Sequence, residues 1–130
     1  MFEELNVIRM ASSLARHASA RHRVIAENVA NADTPGYRAR DVQGFSTYVN
    51  EPFTPRATRA GHVSTPGPTS VRYRSEIVHD QALDASGNGN SVSIERELLK
   101  AVESQGQHAR AVAIYSTVRD IMRLGLGRVR

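Results

Sequence analysis

Small and apolar residues recur at alternating steps of three and four over the first 32 residues of the chain. They are Ile8, Ala11, Ala15, Ala18, Ile25, Val29 and Ala32, with His22 at the one polar step. This spacing is typical of an α-helix that packs along one face in the manner of a coiled coil. It predicts a helix about 40 Å long, at about 1.5 Å per residue. Because alanine dominates this face, the helix buries little area, and we expect it to be only marginally stable alone.

A second helical pattern fills the C-terminal part of the chain, from Ile94 to about Leu124. Ser93 is its predicted N-cap, and acidic residues in the first turn complement the helix dipole. Gly125 and Gly127 are expected to let the helix fray at its end. One stripe consists of Leu98, Val102, Ala109, Val112, Tyr115 and Met122, and it is widened by Ile114, Val118 and Ile121.

The region between the helices, residues 42–90, contains four of the five prolines and five of the nine glycines. This composition predicts loops and short extended pieces, with strands or hairpin arms at 70–74 and 76–78. Such a long stretch is expected to be either mobile or ordered by a partner. Three aromatic residues are expected to pack on a helix flank, namely Phe45, Tyr48 and Phe53.

The predicted fold is therefore mainly α, as a single domain. Long N- and C-terminal helices pair in a coiled-coil-like layer, and an irregular segment with a short β-hairpin lies between them. We divide the chain into an N-terminal helix at 1–32, a turn, loop and short-strand insert at 33–92, and a C-terminal helix at 93–130.

The first helix is expected to stop at the turn Asp33, Thr34, Pro35, Gly36 and Tyr37. The side-chain oxygens of Asp33 and Thr34 can accept from local backbone N–H groups. Pro35 pushes the preceding residue out of the helical region, and Gly36 tolerates a positive φ. The string predicts a sharp turn with an aromatic anchor.

Two asparagines on the last helical turn, Asn28 and Asn31, allow two interpretations. In one, they bond locally and help to terminate the helix. In the other, their amides bond to a neighbouring subunit. The sequence alone leaves both open.

The formal net charge is +4, from 16 arginines and one lysine against 13 acidic residues. A basic surface carrying Arg9, Arg16, Arg21 and Arg23 suits nucleic acid, but arginine also forms bidentate pairs in protein interfaces. There is no cysteine, and no apolar run of 18 residues or basic signal region is seen. No phosphate-binding loop, nucleophile elbow or helical metal pair is present, so we expect no enzyme activity, catalytic residue, metal or cofactor.

Two strings resemble a known family. Residues 30–37, which read Ala-Asn-Ala-Asp-Thr-Pro-Gly-Tyr, resemble the N-terminal signature of flagellar basal-body rod and hook proteins, and Arg-Ala-Arg-Asp at 38–41 is most similar to the proximal rod type. Residues 89–98, which read Gly-Asn-Ser-Val-Ser-Ile-Glu-Arg-Glu-Leu, resemble that family's Gly-Asn-x-Val lead into the C-terminal helix.

This resemblance implies a structural subunit of the flagellar rod, polymerising through its terminal helices to help transmit torque from motor to hook. It implies export through the flagellar type III apparatus without a cleaved signal, and a place in the basal body, in the rod that crosses the periplasm. The implied partners are other copies, other rod proteins, the basal adaptor protein FliE and the export gate, with no nucleic acid or small-molecule substrate. The alternative is a basic helical nucleic-acid-binding protein.

We expect the first helix to pack against the second, either within a subunit or between neighbours. The predicted assembly residues are Ile8, Ala15, Ala18, Ile25, Asn28, Val29, Asn31, Leu98, Val102, Val112 and Ile121.

Overall fold

The computed structural model describes residues 2–46, 76–80 and 87–127. In chain order its elements are helix α1 (Phe2–Ala30), strand β1 (Arg40–Val42), strand β2 (Ile77–His79) and helix α2 (Ile94–Leu126). The mainly helical fold with a small strand pair is confirmed, and both long helices begin and end close to the predicted residues.

The two helices pack side by side and run antiparallel. The Ser104 hydroxyl donates to the carbonyl of Ala18 at 2.8 Å, and the Asn28 amide donates to the Glu97 carboxylate at 3.0 Å. Early residues of α2 thus contact late residues of α1, and Ala11 and Ala111 are both buried toward the other end. Small side chains at these positions permit this close approach.

Every second residue of the predicted apolar series on α1 is buried. Ala11, Ala18 and Ile25 are buried, whereas the predicted Val29 is 44% exposed. The intervening buried positions belong to polar as well as apolar residues, including His17 and Asn28. Hydrophobic spacing missed them because their hydrogen bonds, rather than their hydrophobicity, make burial favourable.

The face that α2 turns toward α1 differs from the predicted stripe. Glu97, Ser104 and Ala111 are the buried residues, seven apart in sequence, while Leu98 and Val102 are 66% and 62% exposed. The alternative in which Leu98 and Val102 pack against α1 within the same subunit was therefore wrong. Apolar residues occur all around α2, so hydrophobicity alone did not identify the face that packs on α1. Contact of these residues with a neighbouring subunit stays a prediction.

Helix α2 is capped as expected at its start. Ser93 is extended, with φ −111° and ψ 118°, and its hydroxyl accepts from the Arg96 N–H at 3.5 Å. Acidic residues occupy the first turn. At the other end Gly125 still lies within the helix, and Gly127 is the C-cap.

The strands pair antiparallel, with Asp41 opposite Val78. The ladder is extended on both sides, because the Gln43 N–H donates to Glu76 and the Asp80 N–H donates to Ala39. The predicted strand at 76–78 is confirmed, displaced by one residue, whereas β1 was not predicted. The predicted strand at 70–74 lies outside the described residues.

Of the aromatic residues expected on a helix flank, Phe45 is confirmed. Its ring lies 5.7 Å from the His17 ring of α1, with the planes tilted by 59°. Tyr48 and Phe53 lie outside the described residues.

Candidate functional site

The chain reverses direction just after α1, at the predicted turn. The Thr34 N–H donates to the carbonyl of Asn31 at 3.0 Å, and the Tyr37 N–H donates to Thr34 at 3.2 Å. Gly36 has φ +73°, the left-handed conformation that glycine adopts without a steric cost. The sharp turn is confirmed. The Thr34 hydroxyl, however, donates to the Asn31 side chain at 3.3 Å instead of accepting from the backbone.

The turn after α1 is held by the side chain of Asn90, which lies in the segment just before α2. The Asn90 Nδ2 lies 3.0 Å, 2.7 Å and 2.9 Å from the carbonyl oxygens of Asn31, Ala32 and Thr34. These carbonyls belong to the turn that directly follows α1, so this one amide ties the turn to the segment before α2. Its Oδ1 accepts from the Val92 N–H at 2.7 Å. The sequence marked Asn90 only as part of a family string.

The turn and the segment before α2 are joined backbone to backbone. The Gly36 N–H donates to Asn88 at 3.1 Å, and the Ser91 N–H donates to Tyr37 at 3.1 Å. Gly89, with φ +78°, lies so near that a Cβ there would be 3.5 Å from the Gly36 Cα. The two strings that resemble the rod family are thus bonded directly to each other. We call residues 28–41 together with residues 88–100 the junction.

Asn28 is fully buried at the centre of the junction. Its Nδ2 donates to the Arg40 carbonyl at 2.6 Å and to Glu97, while its Oδ1 accepts from the Arg40 N–H at 3.1 Å and the Tyr37 hydroxyl at 3.3 Å. All four hydrogen-bonding positions of the amide are therefore used inside the subunit. The interpretation in which Asn28 bonds a neighbouring subunit was wrong. The Asn31 side-chain amide donates to the backbone carbonyl of Glu27 at 2.8 Å, so it bonds locally.

A cluster of charged side chains joins the strand pair to both helices. The Lys100 Nζ lies 2.7 Å from Asp80, 3.0 Å from Glu97 and 3.5 Å from Asp41. Arg21 of α1 makes two parallel bonds to Asp41, at 3.0 Å and 3.1 Å. We call these five residues the ionic cluster. Sequence reasoning missed it because its members are far apart in the chain, and it had assigned Arg21 to a basic surface.

Contacts within the cluster shift the pKa values of Asp41 and Lys100. Burial alone would raise the pKa of Asp41, but hydrogen bonds from Arg21 and the Val42 N–H hold it below its ordinary value. Burial alone would lower the pKa of Lys100, but hydrogen bonds to Asp80 and Glu97 raise it. Both shifts favour the charged forms of Asp41 and Lys100.

The arrangement suits a rigid joint more than a reaction centre. Its polar groups are directed at one another, and among the described residues no three His, Asp or Glu side chains are grouped to hold a metal ion. Of the histidines, His17 is buried with its Nε2 2.9 Å from the Gln43 carbonyl. No described helix carries an apolar stretch long enough to cross a membrane.

Comparison with known proteins agrees with the two strings at the junction. A family model described as flagella basal body rod protein matches residues 8–38, which include most of α1 and the turn. FlgB of Aeromonas hydrophila is 34% identical over 86 residues, which are 61% of this chain and 61% of that protein. FlgB of Agrobacterium fabrum is 24% identical over 97% of this chain and 96% of its own length. FlgB of Escherichia coli is 27% identical, covering 89% and 90%. Over these residues the chain is similar to flagellar basal body rod proteins.

Within this fold, the predicted assembly residues fall into three groups. Ala18, Ile25 and Asn28 are buried between elements of the same subunit, which is one of the two alternatives that the sequence left open. Ile8, Ala15 and Asn31 are partly covered. The remaining residues are between 44% and 66% exposed, and they are Val29, Leu98, Val102, Val112 and Ile121.

The basic surface considered for nucleic acid is reduced in the fold. Arg21 is engaged by Asp41, whereas Arg9, Arg16 and Arg23 remain exposed on α1. No finding from the fold or from the rod family supports nucleic-acid binding.

Proposed function

We propose that the chain is a structural subunit of the flagellar rod and polymerises through its two terminal helices. The observation that carries this proposal is the outer face of α2, which we define as Leu98, Leu99, Val102, Val112 and Ile121. These residues are 66%, 61%, 62%, 48% and 52% exposed in the subunit. Aliphatic residues left uncovered along one helix are typical of a surface that another protein covers.

The energetics favour assembly with several neighbours. Complete burial of a Val, Leu or Ile side chain contributes about 1.5–3 kcal/mol relative to full exposure. Several half-buried residues on α2 leave part of that free energy unused in the single subunit. Association must offset lost translational and rotational freedom, which a repeated contact along two long helices can do.

The names of the relatives, flagellar basal body rod protein FlgB, support a position in the flagellar rod. We place the chain at the proximal end of the rod, where the rod crosses the periplasm, after export without a cleaved signal. Its neighbours there are other copies, other rod proteins, FliE and the export gate. Its role is to help transmit torque, with no catalytic step and no small-molecule substrate.

Substitution on the outer face of α2 tests this proposal. The double variant Leu98→Ser with Val102→Ser is expressed in a strain whose own copy of the gene is deleted. We expect loss of motility and of complete rods in electron micrographs of basal bodies. Circular dichroism of the purified variant is expected to match the unsubstituted chain, because both residues are already exposed in the subunit.

The matched control is Arg110→Ser, which changes an exposed charged residue of the same helix that is not one of these five. It is expected to restore motility. Normal rods with the double variant would refute the proposed role of the outer face. If the double variant lost helix content to the same extent as motility, the defect would be one of folding, and the proposed role of the outer face would also be refuted.

A further inference from the structure

Strand β2 has little apolar attachment to the helices. All three of its residues are exposed, with Ile77 at 45% and Val78 at 39%. Its partner β1 is better covered, since Val42 is buried and the preceding Ala39 is fully buried. Two short strands with few apolar contacts are at best marginally stable by themselves in water.

The ion pairs of Lys100 supply an attachment that apolar packing does not. Asp80 directly follows β2, and its carboxylate lies 2.7 Å from the Lys100 Nζ on α2. Asp41 lies within β1 and reaches the same ammonium group at 3.5 Å. Side chains of Lys100, Asp80 and Asp41 are only 12%, 14% and 18% exposed, so salt screens these pairs less than surface pairs.

The helix pair has a separate set of contacts. Asn28 donates to Glu97, and Ser104 donates to Ala18, without involving either strand. Ala11, Ala18 and Ala111 are buried between the helices. Loss of the bond between Lys100 and Asp80 therefore leaves the contacts between α1 and α2 in place.

We propose that Lys100 acts as an electrostatic clasp that holds strand β2 onto α2 through Asp80. When the clasp is broken, β2 separates from β1, while β1, α1 and α2 stay packed. The clasp is a property of the single subunit and does not rest on the rod assembly proposed above. In this chain the role falls to its one lysine.

Hydrogen exchange on the purified full-length chain tests the clasp. Asp80→Asn removes the charge and keeps the shape, and Asp80→Ala also removes the acceptor. Lys100 keeps Glu97 and Asp41 as partners in both variants, so no buried carboxylate is left unpaired. The reporter is the Gln43 amide, which donates to Glu76 across the ladder at 2.9 Å and lies far from residue 80 in sequence.

We expect Gln43 to exchange about tenfold faster in Asp80→Ala, and by a smaller factor in Asp80→Asn, as expected for local opening of a weakly held unit. Amides at 18–25 and 101–108 are expected to exchange as in the unsubstituted chain. Unchanged exchange at Gln43 in Asp80→Ala would overturn the clasp. Equal acceleration in the strands and both helices would also overturn it, because the molecule would then open as one unit.

The control is Arg119→Met, which breaks the ion pair between Arg119 and Asp120 on the same helix. Those side chains are 55% and 60% exposed. Exposed pairs contribute little, so exchange at Gln43 is expected to stay unchanged. Faster exchange there in this control would show a general effect of charge and count against the clasp.

Discussion

The junction and the opposite end of the helix pair are built on different chemistry. At the junction, Asn28 and Glu97 are fully buried and bonded to each other. At the other end, which we call the open end, the residues are apolar and only half covered. Their exposed fractions range from 40% to 52%, and they are Val7, Met10, Ile114, Tyr115 and Ile121.

The two regions contribute differently: the junction determines how the two helices pair, and the open end offers apolar surface for association. Buried polar groups that satisfy one another tolerate few alternative arrangements, so the junction fixes how α1 and α2 pair. Half-exposed apolar groups are non-directional and gain from any neighbour that covers them. The chain thus uses hydrogen bonds to define its own fold and leaves apolar surface for the neighbours proposed above.

The largest expected effect is at the centre of the junction. Asn28→Ala leaves the Arg40 backbone N–H and carbonyl without partners in a buried place and removes a bond from Glu97. We expect the free energy of unfolding to fall by about 3–5 kcal/mol. Urea denaturation followed by circular dichroism measures it. The neighbouring Val29→Ala, at a 44% exposed position, should cost less than about 1 kcal/mol. Equal losses in the two variants would remove the distinction between the regions.

The bonds from Asn90 to the turn after α1 come next. Asn90→Ala removes the donor to three carbonyl oxygens and the acceptor for the Val92 N–H, and we expect a loss of about 1–3 kcal/mol. Asn90→Asp keeps the acceptor but places a negative charge at a helix C-terminus, where the dipole disfavours it. It should be at least as destabilising as Asn90→Ala. Stability near that of the unsubstituted chain in Asn90→Asp would show that amide donation is unimportant.

Acid should remove the contribution of Asp41 to the stability of the fold. The pKa of Asp41 is lower in the folded chain than its ordinary value, so the unfolded chain binds more protons as pH falls toward that value. The contribution of Asp41 is therefore present above the ordinary aspartate pKa of about 3.9 and is lost below it. Denaturation midpoints across this range should show a steeper decline than in Asp41→Asn. The exposed Asp120→Asn should keep the full decline, and a flattened profile in that variant would contradict the assignment to Asp41.

The smallest effect on the isolated subunit is expected at the open end. Ile114→Ala and Ile121→Ala each remove side chains that are already 44% and 52% exposed, so each should cost about 1 kcal/mol or less. The same variants are expected to reduce motility. A large loss of subunit stability would show that the open end is closed in solution.

Much of the fold could be predicted from sequence because it depends on local signals. Helical periodicity, the Ser93 cap and the turn at Pro35 and Gly36 act within a few residues of each other, and all three are confirmed. Strand β1 was missed because three residues carry little periodicity, and its pairing with β2 depends on chain 35 or more residues away.

The junction was only partly predictable. The family strings identified the turn and the segment at 89–92, yet neither string indicates that Asn90 holds the turn after α1. Lys100 and Asp80 looked like ordinary charged residues, since an ion pair between distant segments has no sequence spacing. The buried face of α2 was misassigned because Glu97 and Ser104 are polar, and hydrophobic patterns cannot identify residues buried by mutual hydrogen bonding.

The close approach of Gly36 and Gly89 has a mechanical consequence. With no side chain between the two backbones, the thickness of the joint is set by main-chain atoms alone. Helix α2 has 33 residues and extends about 50 Å from this point. A tilt of about 5° at its base would displace the far tip by about 4 Å for a helix of that length. A Cβ at position 89 would already be in van der Waals contact with the Gly36 Cα, at 3.5 Å, so a side chain longer than that of alanine would tilt α2, and the displacement would be greatest at its far end.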